Sequence, residues 1–136
     1  MQVTRRTDYA MRILLELAKD EDGAPISVRA LADDQEVPYA FARSIQRDLV
    51  AASLVAAHRG AAGGLTLARP ASQITVLEVL EAMQGPVSCS LCTSDPDWCG
   101  RSTSCRLHRV WEEADGLLRN YLGGKTLAGL VSEQGK

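Results

Sequence analysis

All four cysteines of this chain fall in one stretch, Cys89-x2-Cys92-x6-Cys99-x5-Cys105, and His108 follows after two more residues. The segment CSLCTSDPDWCGRSTSCRLH (89–108) is dominated by Ser, Thr, Asp, Gly and Pro. Apart from Trp98, the loop has little apolar content with which to fold itself. Thiolates are soft donors that suit Zn²⁺ or iron–sulfur clusters. A structural zinc site usually brings two tight Cys pairs. One tight pair and two wider steps favour a cluster, whose iron atoms spread the ligands, and leave zinc open. A thiol–disulfide switch through Cys89 and Cys92 is the third possibility. Cys89 is the weakest candidate ligand. His108, one turn beyond Cys105, can face the same site, although a lone His is more often a helix-surface residue.

No apolar run approaches the ~18 residues a membrane span needs, and MQVTRRTDYAMRI has no signal-like apolar core. The chain therefore reads as cytoplasmic, where a cysteine cluster points to a metal or redox site more than to structural disulfides. The net charge is −2, so no overall basicity announces a nucleic-acid partner. Any DNA surface has to be a local patch, and residues 1–70, with nine basic and nine acidic side chains, are where it would lie.

Aromatics are only 4% of the chain, so a core must rest on aliphatic residues. Thr4 or Thr7 can cap a first helix, in which Tyr9/Ala10, Ile13/Leu14 and Leu17/Ala18 recur at helical spacing. KDEDGAP (19–25) ends it. Ser27 can cap a short second helix with Val28, Leu31 and Ala32 inward. DDQEVP (33–38) is a turn, and Pro38 suits the first position of a third helix. There Phe41, Ile45 and Leu49 share one face. Two strand-like segments, Val55–Arg59 and Leu65–Ala68, flank GAAGG as a hairpin. Thr75 and Glu78 form a capping box for a fourth helix that ends at Gly85-Pro86. After the cysteines, Leu107, Trp111, Ala114, Leu118 and Tyr121 recur at spacings of 4, 3, 4 and 3, a short heptad seam suited to pairing with a second helix.

Helix, tight turn, helix and hairpin is the order of a winged helix-turn-helix, in which the second helix enters the major groove and the first braces it. Arg43, Gln46 and Arg47 project from that second helix, and Arg and Gln can make bidentate contacts to guanine and adenine edges. Arg59 at the hairpin tip offers a charge to the backbone or a narrow minor groove. Tyr39 and Ser44 can reach phosphates. Taken singly, each of these is also an ordinary solvated side chain. No nucleophile–base motif, phosphate loop or zinc-protease signature is present, so no enzyme is expected.

The two halves together resemble the Rrf-two family of bacterial regulators, of the IscR, NsrR and RirA type. TRRTDYAMRILLELA is similar to the family's first helix, VPYAFARSIQRDLVAASLV to its recognition helix, HRGAAGGLTLARP to its wing, and CTSDPDWCGRSTSCRLHRVW to its cluster loop and the start of its dimer helix. The resemblance implies a mostly α fold: a winged helix-turn-helix DNA-binding region (1–84), a cysteine loop (85–105), a long C-terminal dimerisation helix (106–123) and a tail (124–136). It implies a homodimer on a pseudo-palindromic double-stranded DNA operator, with no membrane partner. It also implies an iron–sulfur cluster, [4Fe-4S] favoured over [2Fe-2S], on Cys92, Cys99 and Cys105. The fourth ligand it implies is either Asp8 of the other subunit, which is favoured, or His108. The function expected is a transcription regulator, a repressor among its members, sensing redox state, nitric oxide or iron. A metal-free thiol-switch regulator and a zinc-stabilised protein-interaction module are the alternatives.

Overall fold

Thr4 opens the first helix by accepting a hydrogen bond from the Thr7 backbone at 3.1 Å. The computed structural model describes residues 1–134, and in it helix α1 runs Arg5–Lys19. Its apolar positions Ala10, Ile13, Leu14, Leu17 and Ala18 are all buried, as their 3–4 spacing requires. Ser27 caps α2, Val28–Asp34, through the Ala30 N–H. Helix α3 spans Tyr39–Ala51, and Pro38 is the capping residue, one place before the expected first turn.

The buried face of α3 is Ala42, Ile45 and Leu49. Phe41, expected inward, is 49% exposed. One residue ahead of Ala42, it is turned ~100° round the helix from that face and sets its ring edge-on to Tyr9 at 6.1 Å.

Strands β1, Val55–His58, and β2, Gly64–Leu67, pair antiparallel with Val55 opposite Leu67 and His58 opposite Gly64. Leu65 also exchanges two backbone hydrogen bonds with Ile26, at 2.8 and 3.1 Å, which ties the hairpin to the entrance of α2. Gly64 makes that approach possible: its φ is +149°, and a Cβ there would lie 2.3 Å from the Ile26 carbonyl oxygen.

A 3-10 turn, Ala71–Gln73, leads to α4, Val76–Gln84, capped by the Thr75 hydroxyl, which accepts from the Glu78 N–H at 3.1 Å, while the Glu78 carboxylate turns to Arg69 instead of completing the expected box. Gly85 closes it at φ +87°. A four-residue helix α5, Leu91–Ser94, lies within the cysteine loop, and α6 runs Arg106–Gly123. The segment read as a tail folds back as helix α7, Leu127–Gln134, with its last two residues outside the described range. Leu127 is fully buried and donates its N–H to Ile74 at 3.0 Å, while Val76 donates to Lys125 at 2.9 Å. One core therefore joins α1, α2, α3, the hairpin and α4 to Leu127 of α7. No helix among the described residues is long and apolar enough to cross a membrane.

A single amide fastens the two ends of this body. The Gln84 side-chain oxygen accepts from the Thr7 hydroxyl at 2.7 Å and the Thr4 N–H at 3.1 Å, and its amide donates to the Gln2 carbonyl at 2.7 Å. Thr7, which does not cap the helix, is wholly buried in this latch. The stem of the cysteine loop is thus tied to the first turn of α1.

Candidate nucleic-acid interface and metal centre

The near-neutral charge of residues 1–70 hides a segregation. Arg6 pairs with Asp48, Arg12 with Asp8, Lys19 with Glu16 and Arg69 with Glu78. Among the described residues no carboxylate lies within salt-bridge distance of Arg29, Arg43, Arg47 or Arg59. Those four belong to the two helices and the hairpin of the helix-turn-helix unit. They stand unpaired on a chain of net negative charge, as Arg5 at the start of α1 also does among the described residues.

A groove of about 280 Å³ runs between the start of α2, the first turns of α3 and the hairpin, and Arg29, Tyr39, Arg43 and Gln46 line it beside His58. Arg43 donates to the Tyr39 hydroxyl at 3.3 Å, and the Arg29 guanidinium stacks 4.1 Å from the centre of the Tyr39 ring. The hydrogen bond from Arg43 leads the two guanidinium charges in lowering the Tyr39 pKa. Arg47 is exposed on α3, Ser44 is half-buried, and Arg59 is exposed at the hairpin; these three lie outside the groove's lining. Arg29 was not singled out from the sequence. Its signal was available: a basic residue on the exposed face of the helix preceding the recognition helix.

The cysteine loop folds against α6 around a second cavity, of about 210 Å³. Cys92, Cys99, Cys105 and His108 all line it, with Trp98 and Trp111. Ser90 caps the short helix that presents Cys92, and its hydroxyl lies 3.2 Å from the Cys92 sulfur. The Nδ1 of His108 is also 3.2 Å from that sulfur, and its Nε2 is 2.9 Å from Glu112. A carboxylate on the far nitrogen fixes the orientation of the ring, the arrangement common to metal-binding histidines. Among the described residues, no three His, Cys, Asp or Glu side chains converge closely enough to hold a single metal ion. Soft donors spread around one cavity fit a multinuclear cluster better than a lone zinc.

Asp8 lies elsewhere, on the first turn of α1, half-exposed and bridged to Arg12 at 2.8 Å. Within one chain it does not meet the cysteines. Cys89 stands outside the cavity lining: its N–H donates to Asp115 at 2.8 Å and its thiol lies 3.6 Å from the Trp111 carbonyl oxygen. A hydrogen bond between its thiol and the Asp115 carboxylate leads the causes that push the Cys89 pKa up. Burial alone would raise the Asp115 carboxyl, yet hydrogen bonds from the Thr93 side chain and from Cys89 hold it below the usual carboxylate range. Asp115 is the buried anchor of the loop, and the sequence reading passed over it. Its trace was the polar stripe His108, Glu112, Asp115, Arg119, which repeats at spacings of 4, 3 and 4.

The other face of α6 is apolar and open. Leu107, Val110, Trp111, Leu117 and Tyr121 are exposed by 60, 51, 37, 73 and 63%. Of the seam positions expected from spacing, Ala114 and Leu118 are half-buried, and Val110 and Leu117 extend the exposed stripe beyond the expected set.

The Rrf2 family model, described as an iron-dependent transcriptional regulator, matches residues 3–133. An HTH-type transcriptional regulator of Mycobacterium tuberculosis is 32% identical over 94% of this chain and 80% of its own length. The regulator IscR of Cronobacter sakazakii is 28% identical, over 98% of this chain and 82% of its own. Among solved structures, CymR, the global cysteine regulator of B. subtilis, shares the fold with a TM-score of 0.79 over 98% of both chains at 23% identity. IscR of T. potens does so with a TM-score of 0.77, over 98% of this chain and 88% of that one, at 22% identity. The winged-helix order, the cysteine loop and a family match spanning nearly all of its length lead to one conclusion: the chain belongs to the Rrf2 family of DNA-binding transcriptional regulators.

Proposed function

We propose that this regulator works in the cytoplasm as a homodimer, binds a pseudo-palindromic operator, and senses redox state, nitric oxide or iron through an iron–sulfur cluster. The observation that carries the reading is the single cavity lined by Cys92, Cys99, Cys105 and His108. The three thiolates would hold the cluster and His108, through Nδ1, its fourth position. Asp8 of a second subunit is the alternative that the family resemblance supplies. A bound cluster supplies an iron centre that reacts with oxidants and nitric oxide.

The rest is done by the chain's own residues. Trp98 and Trp111 shield the cavity. Asp115 grips the backbone of Cys89, and Arg119 donates to the Val87 carbonyl at 3.3 Å, so the loop's stem rides on α6. The Gln84 latch carries the same stem to α1, which packs on α3. A rearranged loop then has a route to the spacing of two recognition helices across a dimer. The apolar stripe of α6 is the surface we assign to pairing of the two subunits. Arg43, Gln46 and Arg47 would read or follow the major groove, with Tyr39 beside Arg43 and with Ser44 and Arg59 on the sugar–phosphate backbone.

The test is anaerobic purification followed by a visible spectrum with iron, sulfide and zinc analysis. A brown protein with roughly equal iron and acid-labile sulfide supports the reading, and the band shape separates [4Fe-4S] from [2Fe-2S]. A colourless protein holding zinc sinks it in favour of the interaction module. A colourless protein that takes up no metal on reconstitution sinks it in favour of the thiol switch.

A further inference from the structure

The DNA-facing groove contains a built unit of three side chains from two helices. Arg29 comes from the first turn of α2, Tyr39 opens α3, and Arg43 follows one turn later. The Tyr39 ring carries the Arg29 guanidinium on its face at 4.1 Å, and its hydroxyl receives Arg43 at 3.3 Å. Neither guanidinium has a carboxylate partner among the described residues. An arginine on a solvated helix normally samples many rotamers, and fixing it is part of the cost of any contact it makes. Here one aromatic residue restrains two of them before any ligand arrives.

We propose that Arg29, Tyr39 and Arg43 act as one unit in operator recognition. Tyr39 holds Arg43 toward a guanine edge and stacks Arg29 toward a neighbouring phosphate. Preference at one base pair then depends on a hydroxyl that touches no base. The division of labour follows from position. The first helix of the motif crosses the backbone and the second faces base edges. Arg43 gives one Nη1 hydrogen to Tyr39 and keeps its other donors for guanine O6 and N7. Arg29 on the ring face has no carboxylate partner among the described residues and can turn its fork to a phosphate. Tyr39 is thus a positioning residue for base readout, and Arg29 joins the interface as a backbone contact.

This inference rests on the DNA-interface reading above, and the experiment separates the two. Wild-type full-length protein, both anaerobically purified and freed of iron, is used to select duplexes from a random-sequence pool. The selected duplex, with each base pair substituted in turn, is the probe for Tyr39→Phe, Arg43→Ala, the double variant and Arg29→Ala. Tyr39→Phe keeps the ring, so Arg29 stays stacked. It is expected to cut preference several-fold at the same base pair where Arg43→Ala cuts it by about 5- to 100-fold, with the slope of affinity against salt unchanged. The double variant should lose no more than Arg43→Ala alone. Arg29→Ala should weaken all sequences alike and lower the salt slope by about one. Tyr39→Phe weakening every sequence equally, or additive losses in the double variant, would overturn the positioning role. A change of base preference in Arg29→Ala would overturn the backbone role. If neither form of the wild type selects any sequence, the interface reading itself fails.

Discussion

Arg43 and Arg59 carry the same positive charge in different settings. Arg43 stands at the groove with one donor on Tyr39, whereas Arg59 sits exposed at the hairpin tip with no carboxylate partner among the described residues. Arg43→Ala should relax preference at one or two base pairs, at a cost of about 1–3 kcal/mol. Arg59→Ala should weaken binding across most sequences and lower the salt slope by about one. Competition binding on substituted duplexes reads both, and an unchanged preference in Arg43→Ala would remove it from base readout. Asp115 gives a pH prediction. Its folded pKa lies below the unfolded value near 3.9. Its hydrogen bonds therefore stabilise the fold above that value and are lost as the pH falls through the lower, folded one. Urea midpoints of the iron-stripped chain at pH 7 and pH 3 should differ less in Asp115→Asn than in the wild type. Residue identity in the thiol set was legible in the sequence because Cys spacing is explicit. Arg29 and Asp115 were not, because a charged residue's role depends on which partner the fold puts beside it.

At the scale of elements, caps and breakers wrote the plan plainly. Thr4, Ser27 and Thr75 cap the helices they precede, and the hairpin strands lie within a residue of their expected ends. Phe41 and α7 escaped for different reasons. A four-residue period leaves a two-way choice of helix face that only packing resolves, and Ala42 took the inward place. TLAGLVSEQ, with two glycines just before it, is short and weakly patterned, and its helix exists because Leu127 fills a site beside Ile74. Leu127→Ala should accordingly cost about 2–5 kcal/mol in denaturant unfolding, a loss that a merely appended tail would not show. On α6 the stripe predicts self-association. Leu117→Glu places a charge on its most exposed member, so sedimentation should find the variant shifted toward monomer while its circular dichroism stays helical. A wild-type monomer at micromolar concentration would remove the pairing role from this face.

For the whole molecule, the charge balance matters more than its total. Carboxylates pair with Arg6 and Arg12 of α1 and with Arg69 after β2, while Arg29, Arg43, Arg47 and Arg59 of the helix-turn-helix unit have no such partner among the described residues. Summed composition cannot register which charges are paired. The cysteine loop has the converse history: the grouping of its thiols was visible in the sequence, but its attachment to the body was not. Cys99→Ser should abolish or bleach the visible absorbance of anaerobic protein while leaving the far-ultraviolet spectrum intact, since the loop lies outside the core that joins the helices. Gln84 links the two histories. It spends both ends of one amide on Gln2, Thr4 and Thr7, residues about eighty positions away in the chain. Evolution cannot then edit these sites independently. Across relatives, positions 4, 7 and 84 should drift together, and a lineage that loses the glutamine should show a matching change at the start of its first helix.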